Sequence, residues 1–171
     1  AGCDCIKLMA TGAVLHAGTD LEDAQYTQAE LTAGVEEAKR FRKPTAAHAI
    51  GTQGILNAAL AGVTSIEHGM LMTDETIRVM LERQIYLVPT LAAIAQVLLH
   101  PDQVPPASLA KAKRVAERHK QSVRAYYQAG GRIAMGADTG TLCNPHGHNA
   151  LELQHMVSAG MKPIDALISA T

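Results

Sequence analysis

The chain has 171 residues, of which 47% are hydrophobic and 18% charged, with a formal net charge of −1. This length suits one domain, residues 1–171, with a real core. The near-neutral charge excludes the electrostatic footprint of a nucleic-acid or anionic-membrane binder, and no apolar run reaches the ~18 residues of a membrane span.

In chain order, short apolar or β-branched stretches predict strands at 6–10, 45–49, 63–67, 86–90 and 133–136. Helical patterns separate them. Thr27 and Glu30 have capping-box spacing and open a helix to about residue 42, with Leu31, Val35, Ala38 and Phe41 on one side. Further helices are expected over 52–61, stopped by Gly62, over 73–83, capped by Thr73, and over 108–129, 149–159 and from 163 onward. The stretch 101–106 reads as a loop or short insertion. Three cysteines, Cys3, Cys5 and Cys143, are too few for a disulfide framework and read as free thiols in a reducing compartment. One Phe, four Tyr and no Trp argue against stacking surfaces for single-stranded nucleic acid. No secretory leader is read at the start, so the cytoplasm is the expected location. Both ends read as cut from something longer.

Strands alternating with helices mean βα units and a parallel α/β sheet. Two architectures remain open: an independent open sheet with helices on both faces, or part of a (β/α)8 TIM barrel, which in full takes about 250 residues. Five strands cannot close that barrel, and the ragged ends favour a partial one made of about five βα units.

In either architecture chemistry collects at the carboxyl ends of the strands. Lys7 lies in the first strand, His48 and His68 end the second and third, and Asp138 follows the fifth. Two neutral imidazoles and a carboxylate are a donor set for Zn2+ or Mn2+. A lysine inside an apolar strand is costly unless its charge is lost or paired. It either reaches the rim and pairs with Asp138, or becomes a neutral amine that takes up CO2 as a carbamate, an anionic oxygen ligand able to bridge two metals. Smaller signals have plainer readings. Gly51–Gly54 read as an ordinary helix start, and Thr11-Gly12 as the floor of the rim. Tyr26 is within reach of a substrate from its loop. Lys111, Lys113, Arg114, Arg118 and Lys120 read as a solvated face, and Met70 and Met72 as filling of the rim.

Ile6-Lys7-Leu8-Met9-Ala10-Thr11-Gly12, Ala47-His48-Ala49, Ile66-Glu67-His68-Gly69, Gly136-Ala137-Asp138-Thr139 and Pro145 through Leu153 resemble the metal-dependent amidohydrolase superfamily. The nearest branch is the imidazolonepropionase-like and Xaa-Pro dipeptidase (prolidase) one, and the resemblance covers nearly the whole chain. It implies a hydrolase of amide or peptide C–N bonds, acting on a small-molecule amide or dipeptide through a metal-bound hydroxide. In that pattern the first strand here is the barrel's fourth, and Lys7 is the carbamylated lysine bridging two metals. His48 and His68 hold one metal. Asp138 holds the other and serves as general base. His146, before Gly147 in the following loop, is implied at the substrate, and His148 is not a ligand. The family's first-strand His-x-His pair has no counterpart, nor do the first three barrel units and the flanking β-sandwich. This chain alone is therefore expected to form an incomplete two-metal site. It is expected to associate with itself or with a chain carrying the missing half, the alternative being an inactive, self-associating half-barrel that binds one metal or none.

Overall fold

The computed structural model describes residues 2–171. Five strands, β1 (Ile6–Met9), β2 (Thr45–Ala49), β3 (Ser65–His68), β4 (Tyr86–Val88) and β5 (Arg132–Ile133), form one parallel sheet in sequential order. That order decides between the two architectures. With right-handed crossovers and no reversal of strand order, every connecting helix packs on the same face. The other face lies open, as the inner wall of a barrel sector does. The fold is thus a parallel α/β sheet of the partial-barrel kind.

On the helix side, α1 (Gln28–Arg40), α2 (Thr52–Ala61) and α3 (Asp74–Glu82) cover the sheet in turn. The Thr27–Glu30 capping box is present with both of its bonds, Gly62 takes the left-handed stop with φ 83°, and Thr73 caps α3. The buried core runs through Leu31, Val35, Ile55, Ile66, Met80, Ile85 and Leu87. Gly54 matters where α2 meets β1: a Cβ there would lie 2.1 Å from the Thr11 methyl carbon, so only glycine allows this approach.

The long helix α5 (Pro106–Gln128) starts two residues earlier than expected, with proline in its first turn as helix starts favour. The helix α6 spans Leu151–Ser158, later than its expected start, and α7 spans Pro163–Ile168. The fifth strand is shorter than expected, because its continuation bonds elsewhere: Met135 N–H donates to Ser169 O at 2.8 Å.

One helix goes unannounced by sequence periodicity, α4 (Leu91–Leu99). Its sequence is apolar almost all round, with Gln96 its one strongly polar residue, so no polar face marks a helical period. The structure explains the composition, since α4 is wedged between the mouth of the sheet on one side and α5 and α6 on the other.

The basic residues of α5 are not merely a solvated face. Lys111 donates to the carbonyls of Ala13, His16 and Thr19, and Arg114 grips the Asp20 carboxylate at 2.7 and 3.1 Å. Arg118 donates to Met72 O at 3.0 Å, and Ser122 bonds both Met70 O and Met72 N–H. The helix thereby lashes down the loops that leave β1 and β3.

Candidate active site at the open mouth of the sheet

Register places Met9, His48, Glu67 and Val88 side by side, with Lys7, Ala46, Ser65 and Tyr86 one layer below. Side chains alternate along a strand, so these residues share the open face, and His68, directly after Glu67, would regularly point toward the helices. Instead His68 has φ 75°, a left-handed conformation rare for a non-glycine residue. The twist brings its ring to the mouth, edge-on to His48 with centroids 4.7 Å apart. Thr90 (φ 53°) and Asp138 (φ 52°) are left-handed as well. Three such residues on one rim are a concentration of backbone strain of the kind that functional sites carry.

Lys7, His48, His68 and Asp138 line one cleft of about 320 Å³. Its remaining wall is largely apolar, with Val14, Ile50, Met70, Ile94 and Val97 among the lining residues. Met70 is thus part of the wall as well as filling. Tyr26 is exposed and lines a neighbouring recess with Met9, Thr11 and Gly12, and His146 is exposed outside the cleft, its Nδ1 3.4 Å from Thr139 Oγ1. Neither opens onto the same space as the four.

Each histidine is fixed by one ring nitrogen. His48 Nε2 donates to Gly12 O at 3.0 Å; the carbonyl only accepts, so Nδ1 keeps its lone pair. The Gly12 turn is itself tied down, Ile50 N–H donating to Thr11 Oγ1 at 3.0 Å and Thr11 Oγ1 to Gly12 O at 3.0 Å. His68 Nδ1 is 2.6 Å from Thr90 Oγ1, which leaves Nε2 free. Burial, the first cause for both rings, holds their pKa values below 6.5, and His48 and Lys7 nearby press His68 lower still. Both rings are therefore neutral at pH 7; Nδ1 of His48 keeps its lone pair, and Nε2 of His68 carries one in the tautomer whose Nδ1–H donates to the Thr90 hydroxyl.

Lys7 and Asp138 are both exposed, and no ion pair joins them among the described residues. Lys7 stands exposed at the open face, and the expected pairing with Asp138 is corrected: no opposing wall covers the face on which they stand. Among the described residues no three of His, Cys, Asp and Glu converge on one point. Two imidazoles alone are fewer donors than a bound Zn2+ takes. The Asp138 turn is held by buried Asn144, whose amide donates to Ala137 O at 2.7 Å and to Asp138 O at 3.1 Å.

Sequence reasoning passed over three supports of this rim. Asn144 is one. Glu152 of α6 is fully buried and accepts from Leu91 N–H at 2.9 Å and Ala92 N–H at 2.7 Å, the first amides of α4. His119 of α5 is fully buried beside the carbonyls of His68 and Pro89, though neither ring nitrogen makes a hydrogen bond of good geometry. The pairing of acid and helix start across sixty residues leaves no local sequence signal.

These buried groups set a pH dependence. Burial lowers His119 to about 4 and lowers His48 and His68 as well. A depressed histidine contributes stability that is full above pH 6.5 and is lost as pH falls through its folded value. Glu152 acts in the other direction: burial, against two backbone donors, raises it to about 7, so its contribution is full below 4.5 and fades as pH rises through 7. Three groups oppose one, so the urea midpoint should fall as pH drops from 6.5 to 4. A flat or rising midpoint over that window would contradict this.

Comparison with known proteins adds to the geometry. A family model described as "Amidohydrolase family" matches residues 1–171. An ochratoxinase from Aspergillus niger is 36% identical over 172 aligned residues, covering 99% of this chain and 35% of the relative. The crystal structure of a Xaa-Pro dipeptidase with bound methionine in its active site superposes with TM-score 0.92 at 37% identity, covering 99% of this chain and 42% of that one. A prolidase complexed with N-methylphosphonate-L-proline superposes with TM-score 0.91 at 31% identity, covering 99% and 41%. The chain thus spans about two fifths of the length of these relatives.

Proposed function

The chain belongs to the amidohydrolase family, whose members are generally metal-dependent, and we propose that it forms the catalytic rim of a hydrolase that cleaves C–N bonds in small-molecule amides or dipeptides. One observation carries this reading: two neutral histidines, each with a free ring nitrogen, open onto the same cleft as Lys7 and Asp138.

A divalent ion, Zn2+ or alternatively Mn2+, would be held by His48 and His68 together with a carbamylated Lys7, and Asp138 would serve a second ion. When bound, such ions polarise an amide carbonyl and lower the pKa of water toward 7. Carbamylation of Lys7 by CO2, in which an N–C bond forms, one C–O π bond opens and a proton leaves the nitrogen, would supply its oxygen donors. Asp138 takes the proton of the attacking water and delivers it to the leaving nitrogen. Gly12 and Thr90 keep the two imidazoles turned toward the cleft. Val14, Ile50, Ile94 and Val97 receive the apolar part of the substrate. Tyr26 and His146 contact substrate only if their loops move toward the cleft.

We infer further that the open face and the free edge of β1 are covered in the working protein, by a second copy or by a chain carrying the other barrel strands. Unpaired strand edges and apolar side chains such as Met9, 46% exposed on the inner face, favour such an assembly. The open face also favours a second reading, an inactive half-barrel that associates with itself and binds one metal or none.

The test is amine release from Xaa-Pro dipeptides and from amides of apolar amino acids. Protein purified without chelator and supplied with Zn2+ and bicarbonate is first separated by size. Activity should travel with an assembled species and vanish with chelator. Release that chelator leaves unchanged contradicts the metal reading, and a stable, inert monomer contradicts both the assembly and the hydrolase.

A further inference from the structure

Two helix starts in this chain show what a threonine ordinarily does there. Thr27 (φ −69°) and Thr73 (φ −114°) are extended, and each side chain accepts a hydrogen bond from the third residue of its helix. Thr90, at the start of α4, departs from both. It is left-handed, with φ 53°, and its side chain caps nothing. Its hydroxyl is engaged instead with His68 Nδ1, 2.6 Å away. The first amides of α4 would then be orphaned in a buried setting, a costly arrangement. Glu152 removes that cost from a different helix. One carboxylate oxygen accepts from Leu91 N–H and the other from Ala92 N–H. A fully buried carboxylate is an expensive cap when a hydroxyl stands beside the same helix start. Its use here makes sense if that hydroxyl is needed elsewhere.

We propose that Glu152 is a positioning residue for His68: by capping α4 from α6 it frees the Thr90 hydroxyl and holds it against the His68 ring. The chain of contacts runs from Glu152 to the Leu91 and Ala92 amides, through the left-handed backbone of Thr90, to Nδ1 of His68. It fixes which ring nitrogen faces Thr90 and leaves Nε2 toward the cleft. The zinc consequence of this inference rests on the proposed function, whereas the ring geometry does not.

The test reads His68 directly, by long-range proton–nitrogen NMR of its ring in this chain, with Zn2+ titration alongside. Four variants are compared with the parent: Glu152→Gln, which puts an NH2 against one of the two amides; Thr90→Val; Thr90→Ser; and Val35→Ala, a buried change in α1 away from α4. Glu152→Asp, which keeps the charge and loses the reach, replaces Glu152→Gln should that variant not fold. Expected are His68 ring-nitrogen shifts moved the same way by Glu152→Gln and Thr90→Val, and unmoved by Thr90→Ser. Val35→Ala should lower the melting temperature and leave the ring signals in place. Zn2+ binding should weaken about 10- to 100-fold in the first two variants, the range for groups that orient a ligand. The proposal is overturned if Glu152→Gln destabilises the chain as Val35→Ala does while His68 keeps its parental signals. It is overturned equally if Thr90→Val moves those signals and the Glu152 change does not. A parent chain that binds no Zn2+ would count against the proposed function, and the ring signals would still decide the role of Glu152.

Discussion

Asp138→Asn should lower kcat by about 10²- to 10⁴-fold, the span typical of losing a general base, while the fold and the metal at His48 and His68 persist. The substitution is unusually clean at this position. Asp138 has φ 52°, and asparagine is among the few residues that accept a left-handed backbone readily. The backbone around it is held independently of the carboxylate, since Asn144 and the Thr141 hydroxyl bond the Asp138 carbonyl. What changes is the capacity to take a proton, together with the charge that Asp138 would offer a second ion. Steady-state kinetics with a circular-dichroism check on the fold would measure it. A kcat within a few-fold of the parent would remove Asp138 from the proton path.

Lys7→Ala should have the largest effect on metal. Groups that only orient a ligand are worth about 10- to 100-fold in affinity, so if Lys7 is a ligand as proposed, its loss should exceed about 100-fold and abolish hydrolysis. Stability should barely move. Lys7 is exposed and has no ion pair among the described residues, and substitutions in such settings usually stay within about 0.5 kcal/mol. Metal lost from an intact fold is therefore the signature. Unchanged metal content in Lys7→Ala would mean that the histidines bind without it.

The sequence made the skeleton of this site legible and hid its aim. Alternating strands and capped helices were readable because each rests on local chemistry: the Thr27–Glu30 box, the Gly62 stop, the apolar strand runs. His48 and His68 stood out as polar residues at successive strand ends. Nothing local announces that His68 turns back toward the mouth, because its direction depends on a positive φ that histidine seldom adopts. The helix α4 was invisible for the opposite reason, being apolar on both sides of itself. Glu152 lay within a family-like stretch, yet its partners are 61 and 60 residues away in sequence. The basic stripe of α5 looked like an ordinary solvated face, since the carbonyls that Lys111 and Arg118 reach belong to distant loops. The exposure of Lys7 follows from the open sheet and is not a property of its strand.

Metal content per chain, by elemental analysis of protein purified without chelator, tests the central claim most directly. The account predicts at least one divalent ion per chain, lost in Lys7→Ala. No metal in the parent chain, even after Zn2+ and bicarbonate are added, would contradict it.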